Sequence, residues 1–138
     1  PEKLSETSSR YLFMWTDEVA MMYNTFFLDL VQRIVEEKLV STKCISLYYP
    51  KGALLDVHMD SLPFVVAMSL SLEWDGLGAD AVSPCLSVLT GSLSTPLRDL
   101  PFRYGEAKIF AGHRLPHYRD PSPTDAISVS FSWDLAKN

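Results

Sequence analysis

The chain has 138 residues, 47% of them hydrophobic, enough for one domain with a real core. Its net charge of −5 and pI near 5.1 argue against nucleic acid or an anionic membrane as partner, since either would select a basic surface. No apolar run approaches the roughly 18–20 residues of a membrane span, and no basic segment precedes an apolar one as in a secretory leader, so a cytoplasmic protein is expected.

Residues 1–10 are polar and expected to fray. A helix is expected over 16–39. Thr16 is placed to cap it, and Asp17 and Glu18 suit its electropositive first turn. Val19, Met22, Phe26, Leu30 and Ile34 recur at three- and four-residue spacing, flanked by Tyr23, Phe27, Val31 and Val35. The stripe is wide, so the helix should pack broadly against a sheet and end near Lys38.

From there the pattern is β. Cys44–Tyr49 reads as a strand closed by the turn Pro50-Lys51-Gly52. Ala53–Asp60 and Val65–Trp74 read as the next two, the latter alternating Ala67, Ser69, Ser71 against Met68, Leu70, Leu72. A loop at 75–78 precedes a short strand, Cys85–Thr90, and 91–104 reads as a loop. Ala107–Ala111, a strand carrying His117, and Ala126–Trp133 complete the set. The last puts Ser128, Ser130 and Ser132 on one face and Ile127, Val129, Phe131 and Trp133 on the other. One helix and seven or eight short strands predict a mainly β fold with a supporting N-terminal helix, a small sandwich or jelly roll. The two cysteines, Cys44 and Cys85, lie outside any C-x-x-C and are expected to be reduced, buried thiols.

There are three histidines: His58, His113 and His117. In Val57-His58-Met59-Asp60 the imidazole and carboxylate are two residues apart, so on a strand they face one side. A second imidazole from a distant strand would complete a two-His-one-carboxylate triad. That set leaves metal positions open for substrate and O₂, which suits non-haem Fe(II). Taken alone, the tripeptide is equally an exposed His beside an exposed Asp. A zinc hydrolase is a poorer fit, because zinc favours more His or Cys ligands.

The surrounding residues sharpen this. Tyr49-Pro50-Lys51-Gly52-Ala53-Leu54-Leu55-Asp56-Val57-His58-Met59-Asp60 resembles the first metal strand of the 2-oxoglutarate- and Fe(II)-dependent oxygenases. Gly105-Glu106-Ala107-Lys108-Ile109-Phe110-Ala111-Gly112 resembles the segment before that family's distal histidine, and His117-Tyr118-Arg119-Asp120 a run found around that histidine in a subset of members. The resemblance covers 44–134. It implies a double-stranded β-helix over those residues, in a single oxygenase-like domain spanning 1–138. It implies Fe(II) held by His58, Asp60 and His117, with no further catalytic side chain. His117 fits the family's spacing after Gly112, and Pro116 speaks against a helical His113–His117 pair.

The family usually anchors the far carboxylate of 2-oxoglutarate with a cation shortly after the distal histidine. Ala126-Ile127-Ser128 stand there instead. Arg119, two residues after His117, would face the same cavity from a strand and supply the fork; it is otherwise a surface arginine beside Asp120. Tyr49 and Ser128 are the other candidate co-substrate contacts, with Ser130, Ser69, Ser71 and Lys108 as further polar residues. Trp74, Phe102, Tyr104 and Trp133 are candidate pocket walls or core. The expected activity is O₂-dependent oxidation of a C–H bond in a small organic substrate, with 2-oxoglutarate as co-substrate. A 2-oxoglutarate-independent iron oxidase and a jelly-roll interaction domain without catalysis remain alternatives.

Overall fold

A computed structural model describes residues 2–3, 11–14, 17–72, 83–88, 98–102 and 105–137. The expected Thr16 cap, Trp74, Tyr104 and the loop at 75–78 lie outside them, as do the side chains of Cys85 and Phe102. In chain order the elements are β1 (Glu2–Lys3), β2 (Tyr11–Met14), α1 (Asp17–Val35), β3 (Leu39–Tyr49), β4 (Leu55–His58), β5 (Val66–Leu72), β6 (Ser83–Val88), β7 (Arg98–Phe102), β8 (Ala107–Phe110), β9 (His117–Arg119) and β10 (Ala126–Leu135).

The strands form two antiparallel sheets. The larger runs β1-β2-β3-β10-β5-β8 and the smaller β4-β9-β6-β7. The eight strands from β3 onward are shared between the sheets in the order of a double-stranded β-helix, with β6 and β7 paired in the small sheet, the fold expected from the sequence. Five elements differ from expectation. Glu2–Lys3 and Tyr11–Met14 are strands that extend the large sheet through β3, so Glu2 and Lys3 are not frayed. Within the expected 91–104 loop, Arg98–Phe102 pairs with β6. Pro101 hides this strand in the sequence, but β7 is an edge, where a residue with no N–H to donate is tolerated. Finally, α1 stops at Val35, with Glu36 in the left-handed conformation at φ 59°, and β3 begins at Leu39, earlier than Cys44.

The larger core lies between α1 and the large sheet. Val31 packs there with Met68, Val129, Phe131 and Trp133, and Phe27, Leu28 and Val35 close over it. Phe27 meets Phe131 edge-on at 5.2 Å between ring centroids. The expectation for the helix stripe is corrected here. Val19, Met22, Phe26, Leu30 and Ile34 are exposed, and the residues written as flanks make the contact. The helix is apolar around most of its circumference, so periodicity alone does not select the buried side. Trp133 is fully buried in this core and does not wall a pocket.

The opposite face of the large sheet looks into the sandwich. Leu47, Tyr49, Ala53, Leu55 and Ala126 form a second cluster there. The serines of β5 and β10 share that face. Ser69, Ser71 and Ser128 are buried, which settles them as interior residues rather than a solvent edge. The β3–β4 connection turns at Gly52, whose φ of 82° suits glycine, and its N–H donates to the Ser122 carbonyl at 2.7 Å.

Candidate metal centre

β4 and β9 are neighbours in the small sheet. Leu55 pairs with Arg119, and His58 with His117. Three steps along β4 therefore match two along β9, which is a β-bulge. Without it, strict alternation would put Leu55 and His58 on opposite faces. The extra residue turns both inward, alongside Arg119 and His117.

Asp60 lies just past the end of β4. Its N–H donates to the Gly112 carbonyl at 2.9 Å, which ties it to the loop between β8 and β9. Gly112 is needed there for space. A Cβ on it would overlap Asp60 Oδ2, and would lie 2.9 Å from Asp60 Cγ and 3.3 Å from the Ala67 methyl.

The three side chains converge. One ligand atom from each of His58, Asp60 and His117 lies within 4.8 Å of the others. Each imidazole Nε2 stands 3.8 Å from Asp60 Oδ1, and the rings are 4.3 Å apart. His58 Nδ1 is 2.8 Å from the Asp56 carbonyl, and His117 Nδ1 is 2.9 Å from that of Leu115. A carbonyl only accepts, so both Nδ1 atoms carry the proton and both Nε2 lone pairs face the shared point. Burial holds His117 below the ordinary imidazole pKa. The Leu115 carbonyl pulls upward against it, His58 pushes down, Asp60 pulls up and Arg119 pushes down. The balance keeps the ring neutral, the form that binds metal. Two imidazoles and one carboxyl group on one side of a point fit Fe(II) and leave the far side open.

His113 is not part of the cluster. Its Nδ1 donates to the Val65 carbonyl at 3.0 Å, and its Nε2 accepts from Arg114 at 3.2 Å, so it pins the β8–β9 loop to the start of β5. Lys108 pairs with Glu106 at 3.6 Å.

A cavity of about 90 Å³ runs from the cluster into the sandwich, walled by Ile45, Leu47, Leu55, Leu86 and Phe110. Phe110 meets His117 edge-on at 4.8 Å. Tyr49, Ser69 and Arg119 also line this cavity. Arg119 is 3% exposed, not a surface arginine. Its Nη2 donates to Ser69 Oγ at 2.6 Å and to Ser128 Oγ at 3.3 Å, and its guanidinium lies 5.2 Å from the centre of the Tyr49 ring. The two serine hydroxyls are 2.7 Å apart. Arg119 thus bridges the small sheet to the large one. The Tyr49 hydroxyl is buried and lacks a hydrogen-bond partner among the described residues. Ser69 was among the further polar candidates, and its alternation with Met68 and Leu70 was the signal. Phe110 and Gly112 stood only within the segment that resembles the family's, without a role of their own, and nothing in the sequence pointed to Leu86.

A double-stranded β-helix with His58 on β4, Asp60 just beyond it and His117 on the neighbouring β9 is a jelly roll with a candidate facial-triad metal site. The sequence matches no protein-family profile and no curated protein. Solved structures do match. A Pseudomonas putida prolyl-4-hydroxylase aligns with TM-score 0.73 at 15% identity, over 99% of this chain and 77% of that one. A prolyl hydroxylase from Trichoplax adhaerens, in complex with a hypoxia inducible factor peptide fragment, aligns with TM-score 0.67 at 14% identity, over 95% and 65%. The non-heme alpha ketoglutarate dependent epimerase SnoN, from nogalamycin biosynthesis, aligns with TM-score 0.70 at 14% identity, over 96% and 64%. The chain has the fold of the 2-oxoglutarate- and Fe(II)-dependent oxygenases, and it spans about two thirds to three quarters of the length of these three.

Proposed function

We propose that the chain is a non-haem Fe(II), O₂-dependent oxygenase that uses 2-oxoglutarate and oxidises a C–H bond of a small organic substrate. The observation that carries this reading is one continuous cavity with two differently equipped parts. One part presents His58 Nε2, Asp60 Oδ1 and His117 Nε2 to a common point; the other holds the buried Arg119 and the Tyr49 hydroxyl, which has no partner among the described residues. A dicarboxylic keto acid matches that division.

His58, Asp60 and His117 would hold the iron, which when bound supplies the activation of O₂ that no side chain provides. The remaining work falls to the chain. Arg119 and Tyr49 would bind the far carboxylate by charge-assisted hydrogen bonds, which offset its loss of water. Ser69 and Ser128 hold the guanidinium across the sheets, so the cation is in place before the acid arrives. Ser128 thus contributes to the co-substrate site through Arg119. The arginine comes from β9, yet it reaches the part of β10 where the family usually carries its cation. Leu86 and Phe110 keep water from the reacting side. The acidic chain is not suited to nucleic acid, and a reduced, buried Cys44 fits a cytoplasmic setting.

The absence of a cation at 126–128 favours one other reading, an iron oxidase that takes all its electrons from its substrate. One titration separates the two. Anaerobic protein loaded with Fe(II) and titrated with 2-oxoglutarate should develop the weak visible charge-transfer band of a chelated keto acid, and the band should saturate. Iron binding with no band supports the oxidase. No iron binding refutes both readings and leaves an interaction domain.

A further inference from the structure

The outward flank of α1 is apolar along its whole length. Val19, Met22, Phe26, Leu30 and Ile34 follow three- and four-residue spacing and are 39–75% exposed, whereas Tyr23 at their edge packs on Phe131. At roughly 150–250 Å² per large side chain, about half exposed, the five present on the order of 500 Å². That is the upper end of what an ordinary monomer leaves uncovered.

We propose that a second copy of this chain covers this flank, in a two-fold dimer whose α1 helices pack antiparallel. Charge selects this occupant, and the area is compatible with it. Burying the patch on both copies removes about 1,000 Å², the smallest area expected of a specific interface. Glu18, in the first turn, and Arg33, in the last, stand at the two ends of the stripe, both exposed. A two-fold axis crossing the helix near Phe26 brings Glu18 to the partner's Arg33, and Arg33 to the partner's Glu18. The same axis sets Met22 against the partner's Leu30 and packs Phe26 on its own copy. A parallel pairing would put like charges together. The dimer is independent of the metal centre, which faces the other side of the large sheet.

Light scattering coupled to size exclusion, across the micromolar range, should give the mass of a dimer that dissociates on dilution. Phe26→Asp puts two carboxylates face to face at the axis. It should raise the dissociation constant at least a hundredfold while leaving the far-ultraviolet circular dichroism unchanged, because Phe26 is 75% exposed and outside the core. Glu18→Arg and Arg33→Glu should each weaken the dimer several-fold, and the double reversal should restore it. A wild-type monomer at every concentration, a dimer that survives Phe26→Asp, or a double reversal that fails to restore association would each overturn the proposal.

Discussion

Replacing Gly112 by alanine adds one methyl group at the point where the metal centre is tightest. The new Cβ would overlap Asp60 Oδ2 and crowd Asp60 Cγ at 2.9 Å and Ala67 at 3.3 Å. The backbone cannot simply retreat, because the Gly112 carbonyl accepts from the Asp60 N–H at 2.9 Å. The soft coordinate is the Asp60 side chain, which is 24% exposed and can swing outward. Without metal that swing is cheap, so stability should fall by no more than about 1–3 kcal/mol, the ordinary range for overpacking. With metal the cost rises, because the swing removes one of three ligands. Loss of ligand orientation typically weakens binding by about 10–100-fold. Anaerobic calorimetric titration with Fe(II), beside thermal unfolding of the metal-free protein, measures both quantities. If Gly112→Ala binds Fe(II) within a factor of two of wild type, Gly112 does not set the position of Asp60.

Three further outcomes are expected. His58→Ala and His117→Ala should each lose stoichiometric iron in anaerobic loading, and retention in either would remove that residue from the centre. Arg119→Ala should weaken 2-oxoglutarate by at least a hundredfold, since hydrogen bonds to a charged group contribute about 1.5–3 kcal/mol each, and Arg119→Lys should recover only part of it. Iron binding should change little in either variant, and an unchanged 2-oxoglutarate titration would take Arg119 out of the site. Burial pushes the Cys44 thiol up to about 12, so almost no thiolate exists at neutral pH. Iodoacetamide should leave the Cys44 peptide unmodified in the native protein and alkylate it in denaturant; rapid native labelling, read by peptide mass spectrometry, would contradict the buried placement.

The sequence discloses the parts of this molecule that obey short periodicities. The serine and apolar faces of β10 read directly from its two-residue alternation, and the β-helix strands from β3 onward follow the expected order, apart from β7. His58 and Asp60 stand close enough in the chain to be read as a pair, and family spacing separates His117 from His113. What stays hidden depends on three-dimensional counting. The bulge in β4 leaves no residue signature, because Asp56 and Val57 are ordinary in a strand. Gly112 has ordinary dihedrals, so only the approach of Asp60 explains it. The buried face of α1 is invisible because apolar residues surround most of the helix. Pro101 masks β7, since an edge strand accommodates what an inner one rejects. Ser69 gains its role only when Arg119 arrives from the other sheet.

β10 assigns separate duties to alternate residues. Val129, Phe131 and Trp133 hold the sheet to the helix, while Ser130 lines the cavity and Ser128 bonds Arg119 on the same side. Changes in one set are therefore shielded from the other by the thickness of a backbone. A lineage could recast the cavity floor for a different acid, hydroxyl by hydroxyl, without loosening the helix, and could repack the helix side without disturbing what the cavity admits. For an engineer, the even-numbered positions from 128 to 130 are where selectivity can be varied, and the odd-numbered positions from 129 to 133 are where thermal resistance can be raised.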